Sequence, residues 1–445
     1  MKLEGRNVLV VGLGKSGVAA ARLLISRGAH VIAADDKPRE EVAQALHVLG
    51  LNDVRSVAPE SLRDADLVVV SPGVPPTLPI FAEARAKGLQ IVGEVELAAR
   101  FIDEPILGVT GTNGKSTTTA LCGHLVATAG LRVFVGGNLG NALSNRVLEG
   151  GELDATVCEL SSYQLETVEH LRCAAAVVLN VTPDHLDRYP SLDAYAAAKA
   201  RIFERQQAGD MAVLNLADAR VAAMRSEGHV ARMGFDPRYP RPETHLAPHT
   251  VLAGFLKAPR TLHVVAHDLH LRVPTLRGAH NAENALAACL LAYRLGLTPE
   301  EMQRGLDTYP GLPHRLEPVR VLDGVEWIND SKATNVDSVE KSLGAFEANV
   351  ILIMGGRGKG APYAPLRPLL GRVKTLLTIG EDADRIAAEL GRATACGDLA
   401  RAVAKAREVA RTGDVVLLSP ACASYDQFRN FEDRGEQFKR MVGEL

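Results

Sequence analysis

Short apolar runs alternate with longer stretches of helical spacing along most of the chain, and the alternation falls into three blocks. In the first, Asn7–Val11, His30–Ala34 and Leu67–Val70 read as strands, and Lys15–Arg27 reads as a helix closed by Gly28. In the second, Ile106, Leu107 and Val109 lie in a strand, and Ser116–Ala129 follows with helical spacing. Further strands are predicted at Arg132–Val135, Ala155–Glu159, Ala175–Asn180 and Met211–Asn215. Leu262–Val273 alternates apolar and polar residues, as a half-exposed antiparallel strand does. Tyr195–Arg205 and Asn281–Leu295 read as helices, the latter stopped by Gly296. The stretch from Glu227 to Pro259, rich in proline and histidine, gives no assignable element. The third block predicts strands at Val325–Asn329, Val350–Met354, Thr375–Ile379 and Val415–Ser419, with a last helix over Phe428–Val442. Strands separated by helices argue for parallel sheets covered on both faces. The expected class is therefore α/β, divided into segments 1–94, 95–311 and 312–445.

Composition narrows the picture without changing it. At 445 residues the chain exceeds a single ordinary core. Its hydrophobic fraction of 47% and charged fraction of 23% are those of a soluble globular protein. A net charge of -3, with no basic run interleaved with aromatics, argues against nucleic acid as a partner. No run of about 18 apolar residues predicts a membrane span. Met1–Gly17 enters a strand-and-glycine pattern instead of a signal-peptide pattern, so the expected location is cytoplasmic. The six cysteines (122, 158, 173, 289, 396 and 422) lack metal-type spacing and are expected to be reduced.

The most informative stretch is Gly108–Thr117, which reads as a phosphate cradle between a strand and a helix. Glycines at 111 and 114, flanking Thr112 and Asn113, let the backbone turn tightly and point N–H groups at an anion. Lys115 adds a point charge, the Ser116 hydroxyl can ligate magnesium, and Thr117 lies in the first helical turn. The usual P-loop has glycine where this chain has Val109.

A second glycine loop, Gly12-x-Gly14-x-x-Gly17, also joins a strand to a helix, and Asp35 ends the next strand. This fingerprint fits a nicotinamide dinucleotide, and it fits equally another pyrophosphate carrier such as a sugar nucleotide. Polar residues gather at other strand ends. Glu159 terminates one strand, where it can hold magnesium or simply face solvent. His185 follows another, as a ligand or as an ordinary loop histidine. Lys199 reads from spacing alone as a solvated helical lysine. Asn281 and Asn284 open a helix, one as a cap and the other free to contact a base. In the third block, Asp330–Asn335, Gly355–Gly360 and Ser419–Asp426 each follow a strand. The recurrence of such loops in all three blocks points to ligand-binding clefts at strand carboxyl ends.

Taken together, Thr110–Thr117, Glu159, His185, His280-Asn281 with Asn284, and His314-Arg315 resemble the motifs of the Mur ligases, in order. The resemblance covers essentially the whole chain. It implies three domains: a Rossmann-like N-terminal one for a UDP-linked substrate, a P-loop-type central one for ATP, and a Rossmann-like C-terminal one for an amino acid. Glu159–Gln164, Asn180–Tyr189, Trp327–Asn335 and Ser419–Asn430 are similar to the branch that adds D-glutamate to UDP-N-acetylmuramoyl-L-alanine. That implies an ATP-dependent amide ligase of peptidoglycan synthesis, and hence of cell shape and division, acting through an acyl phosphate. By the same resemblance Lys115, Glu159, His185 and Lys199 are catalytic. Ser116 and Glu159 would ligate one Mg2+, and His185 and Lys199 a second, with Lys199 carbamylated. Gly111–Thr117, Asn284, Arg315 and Asp330 would bind ATP. Gly14, Lys15, Ser16, Asp35, Ser71, Gly73 and Asn138 would bind the UDP substrate. Thr334, Lys359, Ser424 and Phe431 would bind D-glutamate. A monomer is expected. The sequence departs from it at Asp35-Asp36-Lys37, Arg357 and Tyr425.

Overall fold

The computed structural model describes residues 1–184, 188–225, 230–238 and 250–445. Two compact units emerge, 1–270 with 284–305, and 271–283 with 306–445. The first unit contains two sheets. One is four-stranded and wholly parallel: β1 (Asn7–Val11), β2 (His30–Ala34), β3 (Leu67–Val70) and β4 (Gln90–Gly93), in the order β2-β1-β3-β4. Its middle strands are apolar on both faces, as helix-covered parallel strands are.

The second sheet has nine strands. β5 (Ile106–Thr110), β6 (Val133–Gly137), β7 (Ala155–Glu159), β8 (Ala175–Val178), β9 (Met211–Asn215), β10 (Ala231–Asp236) and β11 (Thr250–Ala258) are parallel. β12 (Thr261–Val264) and β13 (His267–His270) add an antiparallel edge, giving the order β13-β12-β11-β10-β9-β8-β5-β7-β6. The single strand expected over Leu262–Val273 is thus a hairpin. It turns at Val265, whose φ of 58° breaks the alternation. Two strands also occupy described parts of the stretch that the sequence left unassigned.

The second unit holds a six-stranded sheet: β14 (Glu317–Leu322), β15 (Val325–Asn329), β16 (Val350–Gly355), β17 (Val373–Ile379), β18 (Ala393–Gly397) and β19 (Val415–Leu418). Its order is β14-β15-β19-β16-β17-β18, with only β14 antiparallel.

This topology decides where loops can meet. In each sheet, consecutive parallel strands diverge to either side of a central one: around β1, around β5, and around β19 between β15 and β16. The loops leaving such strands point apart and open a crevice at the carboxyl ends, where ligands bind in open α/β sheets. The three glycine-rich or polar loops singled out above lie at these points.

Candidate active site

The loop after β5 is fixed from two sides. Gly114 caps the helix Lys115–Thr128 at φ 86°, a left-handed conformation that side chains rarely adopt. A Cβ there would also lie 2.2 Å from Asn284 Oδ1. Asn284 presses its amide on the loop and accepts from the Thr118 hydroxyl at 3.3 Å. On the other side, Asn180 follows β8. Its Oδ1 accepts from the backbone N–H of Thr112 (3.1 Å) and Asn113 (2.8 Å), and its amide donates to the Asn113 carbonyl. Lys115 Nζ folds back on the carbonyls of Gly111 and Thr112, at 2.9 and 2.8 Å. The N–H groups at the start of the following helix lack intrahelical acceptors, which makes this end an anion site. Ser116 is buried in the first turn and Thr117 follows it.

Glu159 ends β7 with 2% of its surface exposed. Its Oε1 accepts from Asn138 Nδ2 at 2.7 Å, and its backbone carbonyl accepts from the Asn138 N–H at 2.9 Å. Oε2 is buried with no hydrogen-bond partner among the described residues. A buried carboxylate oxygen without a donor is costly unless a cation or water meets it. Beside a phosphate loop and the Ser116 hydroxyl, that is a fitting ligand set for magnesium.

Lys199 corrects the reading from spacing. It is 1% exposed, not solvated: Nζ donates to the Gly111 carbonyl at 2.8 Å and stands 4.3 Å from the Tyr195 ring centroid. Burial, and then the charge of Lys115, push its amine down to about 7, against the pull of Asp184 and Glu159. His185 lies outside the described residues.

At the carboxyl end of the first sheet is a cavity of about 440 Å³. Gly14, Lys15, Ser16, Asp35, Ser71 and Gly73 all line it. Gly17 explains the third fingerprint glycine: a Cβ there would lie 1.8 Å from the Gly12 carbonyl. Asp35 has a local task as well, accepting from the N–H of Leu13 (2.6 Å) and of Lys37 (3.0 Å). Asn138 is not among the lining residues; its amide is engaged by Glu159.

In the second unit, Lys359 Nζ reaches Thr334 Oγ1 at 3.4 Å. Ser424 is buried in the loop after β19. Phe431 starts the last helix, with its ring edge-on to His314 at 5.9 Å and the Lys332 ammonium 5.3 Å from its centroid. Asp330 is buried. Its Oδ2 accepts from the hydroxyls of Ser342 (2.6 Å) and Ser419 (2.7 Å), and its Oδ1 from the Leu316 N–H (3.2 Å). Burial raises its carboxyl to about 6 despite those donors and the nearby Arg315. Arg315 itself sits between two left-handed residues, His314 (φ 63°) and Leu316 (φ 40°). His280 is pushed down to about 4, first by burial and then by Lys341 and Arg315.

Two supporting residues were not singled out from sequence. Asn180 carries its signal in its place, an amide at a strand end beside the phosphate loop. Arg434 is fully buried, and its guanidinium binds the Ser331 hydroxyl (2.9 Å), the Ser331 carbonyl (2.8 Å) and the Cys422 carbonyl (3.2 Å). Its signal is a charge on the face that also carries Phe438 and Val442.

Three family models match the chain: the Mur ligase MurD-like N-terminal domain over residues 6–93, the Mur ligase middle domain over 109–292, and the Mur ligase glutamate ligase domain over 314–422. A Myxococcus xanthus protein named UDP-N-acetylmuramoylalanine--D-glutamate ligase is 53% identical over 454 residues, covering 100% of both chains. A protein of the same name from Anaeromyxobacter dehalogenans is 53% identical over 458 residues, covering 100% of this chain and 98% of the relative. Among solved structures, MurC from Thermotoga maritima matches with a TM-score of 0.61 at 19% identity, covering 99% of both chains. MurF from Acinetobacter baumannii matches with a TM-score of 0.61 at 18% identity, covering 99% of this chain and 91% of its own. These two likenesses speak to the fold alone.

Proposed function

The chain belongs to the Mur ligase family, and from that premise we propose that it joins D-glutamate to UDP-N-acetylmuramoyl-L-alanine at the expense of ATP, in the synthesis of peptidoglycan precursors. The observation that carries this reading is the 53% identity to relatives of that name along the full chain. We assign the UDP substrate to segment 1–94, ATP to 95–311 and the amino acid to 312–445, in a monomer working in the cytoplasm.

The chemistry asks for an activated carboxylate, because an amine does not displace hydroxide near neutral pH. The alanyl carboxylate attacks the γ-phosphorus of ATP, the bond to ADP breaks, and an acyl phosphate forms. The amine of D-glutamate then attacks the acyl carbon. The tetrahedral adduct loses phosphate, the amine loses its proton, and the amide remains. The first step brings two anions together, so fixed cations and dipoles aimed at the developing charge dominate catalysis.

The residues of these loops suit those tasks. The helix start after Gly114 and the Lys115 charge receive the phosphates. Ser116 and Glu159 would hold one magnesium ion, and His185 with Lys199 a second; the metal would neutralise phosphate charge. We assign Lys199 a carbamate: its nitrogen adds to carbon dioxide and releases a proton. A buried amine with its pKa pushed down to about 7 is partly neutral near pH 7, and only the neutral amine reacts. Asn284 steadies the loop from beside Gly114, and its family role toward adenine remains part of the proposal together with Arg315 and Asp330. Lys15 and Ser16, at the start of a helix in the 440 Å³ cavity, are placed to take a pyrophosphate. We assign D-glutamate to Thr334, Lys359, Ser424 and Phe431.

An assay with UDP-N-acetylmuramoyl-L-alanine, ATP, magnesium and a panel of amino acids tests the reading. ADP release greatest with D-glutamate supports it. Release that ignores the amino acid, or peaks with another one, defeats it.

A further inference from the structure

We propose that Tyr363 is a positioning residue for the amino-acid site, its hydroxyl tying the lysine-bearing glycine turn after β16 to the serine-bearing loop after β19. The proposal rests on the reading that Lys359, Thr334 and Ser424 hold the amino acid.

Tyr363 follows the turn that carries Lys359 and is buried in the core of the third sheet. Its hydroxyl lies 2.7 Å from Asp382 Oδ2 and 3.0 Å from Cys422 Sγ. A carboxylate only accepts, so the phenol donates to Asp382, and its oxygen is left to accept from the Cys422 S–H. The phenol therefore has a partner on each side, and both directions of the bridge are chemically determined.

The Asp382 end belongs to the glycine turn. The Asp382 N–H donates to the Gly356 carbonyl at 3.0 Å. Its carboxylate lies flush against the turn, so close that a Cβ on Gly358 would fall 2.0 Å from Oδ2. Gly358 directly precedes Lys359. Arg385 reinforces this end, 3.6 Å from the same carboxylate and donating to the carbonyls of Gly360 (3.3 Å) and Ala361 (3.0 Å).

The Cys422 end belongs to the loop that carries Ser424 two residues later. Ala421, just before it, sits at φ 61°. A left-handed non-glycine residue persists only where its surroundings hold it. Here the Ala421 N–H is taken by the Ala333 carbonyl at 2.8 Å, and the Cys422 carbonyl by Arg434. Arg357 and Ala423 exchange backbone hydrogen bonds at 2.9 and 3.0 Å, and the Gly355 N–H donates to the Pro420 carbonyl at 2.9 Å, so the two loops are joined through backbone near their strand ends. The phenol adds a side-chain bridge, tying Cys422 to the Asp382 carboxylate that braces the turn just before Lys359. The phenyl ring alone would fill the same volume, so only the hydroxyl carries the proposed role.

The test compares Tyr363→Phe, Cys422→Ala, Cys422→Ser and the Tyr363→Phe/Cys422→Ala double variant in the full-length enzyme. For Tyr363→Phe, KM for D-glutamate rises about tenfold while kcat changes less than about twofold, and KM for ATP and for the UDP substrate stays put. Cys422→Ala does the same, and Cys422→Ser, which keeps a donor, stays near the parent. The double variant is no worse than the poorer single, because both remove one bridge. An unchanged KM in Tyr363→Phe, or single effects that add in the double, overturns the proposal. Hydrogen exchange separates this from failure of the substrate reading. If no D-glutamate-dependent turnover exists, faster exchange over residues 419–424 in Tyr363→Phe still supports the tether, and unchanged exchange refutes it.

Discussion

Asn138 donates its amide N–H to Glu159 at 2.7 Å and so occupies one oxygen of a carboxylate whose other oxygen is buried with no partner among the described residues. The pair explains how a strand-end glutamate has one oxygen held by an amide and the other left for a cation. It predicts unequal costs for the two residues. Glu159→Gln removes the charge that would hold magnesium, and kcat/KM falls by at least about a hundredfold. Asn138→Ala leaves the charge but frees its orientation, so the magnesium concentration for half-maximal rate rises about tenfold while kcat at saturating metal falls less. Magnesium titrations of the rate check both. Equal losses in the two variants at saturating metal would contradict the assigned division of labour.

Lys199 predicts a trade of stability against activity. Its folded pKa, pushed down to about 7, lies below the ordinary lysine value of 10.5. Below about pH 7 the amine is charged in both states, and the folded protein bears the full burden of burying that charge. The burden fades as pH rises from about 7 toward 10.5, where the unfolded chain holds the proton and the folded chain does not. Lys199→Met should therefore be inactive and yet melt at a higher temperature than the parent. Its advantage should be greatest near pH 6 and shrink toward pH 9, in buffer freed of carbon dioxide. Melting curves across that range check it. A destabilised Lys199→Met at pH 6 would mean that the amine is not desolvated as placed.

Gly114 should tolerate no side chain. Gly114→Ala meets both a left-handed φ of 86° and the Asn284 amide 2.2 Å away. About 1–2 kcal/mol of conformational strain is expected, with further loss from moving Asn284 off the loop. ATP affinity should drop at least about tenfold, readable by nucleotide titration, and the melting temperature should fall, with Asn284→Ala in the same background recovering part of the lost stability. No recovery would show that Asn284 does not crowd this position.

Much of this was legible in the sequence because it rests on local rules. The loop at Gly108–Thr117 announces itself by glycines before a lysine, and the parallel strands by unbroken apolar runs. Six residues assigned to the UDP substrate do line one cavity, since a fingerprint glycine loop fixes where its neighbours must go. What spacing missed is what only tertiary packing decides. Lys199 has the pattern of a surface lysine, and its burial depends on Tyr195 and on a loop 88 residues earlier in the chain. Asp330 reads as a loop acid but spends its oxygens on Ser342, Ser419 and Leu316. The edge hairpin of β12 and β13 was hidden because each strand alternates on its own, and the break between them rests on the positive φ of Val265. The Arg434 anchor was passed over because its one signal, a charge on the helix face shared with Phe438 and Val442, does not name the carbonyls it binds.

The central claim is that ATP activates the alanyl carboxylate as an acyl phosphate before D-glutamate attacks. The most direct measurement labels both oxygens of that carboxylate with oxygen-18 and follows the label by mass spectrometry through one turnover. One labelled oxygen is expected in the released inorganic phosphate and the other in the new amide. Unlabelled phosphate, or label appearing in AMP, would contradict it.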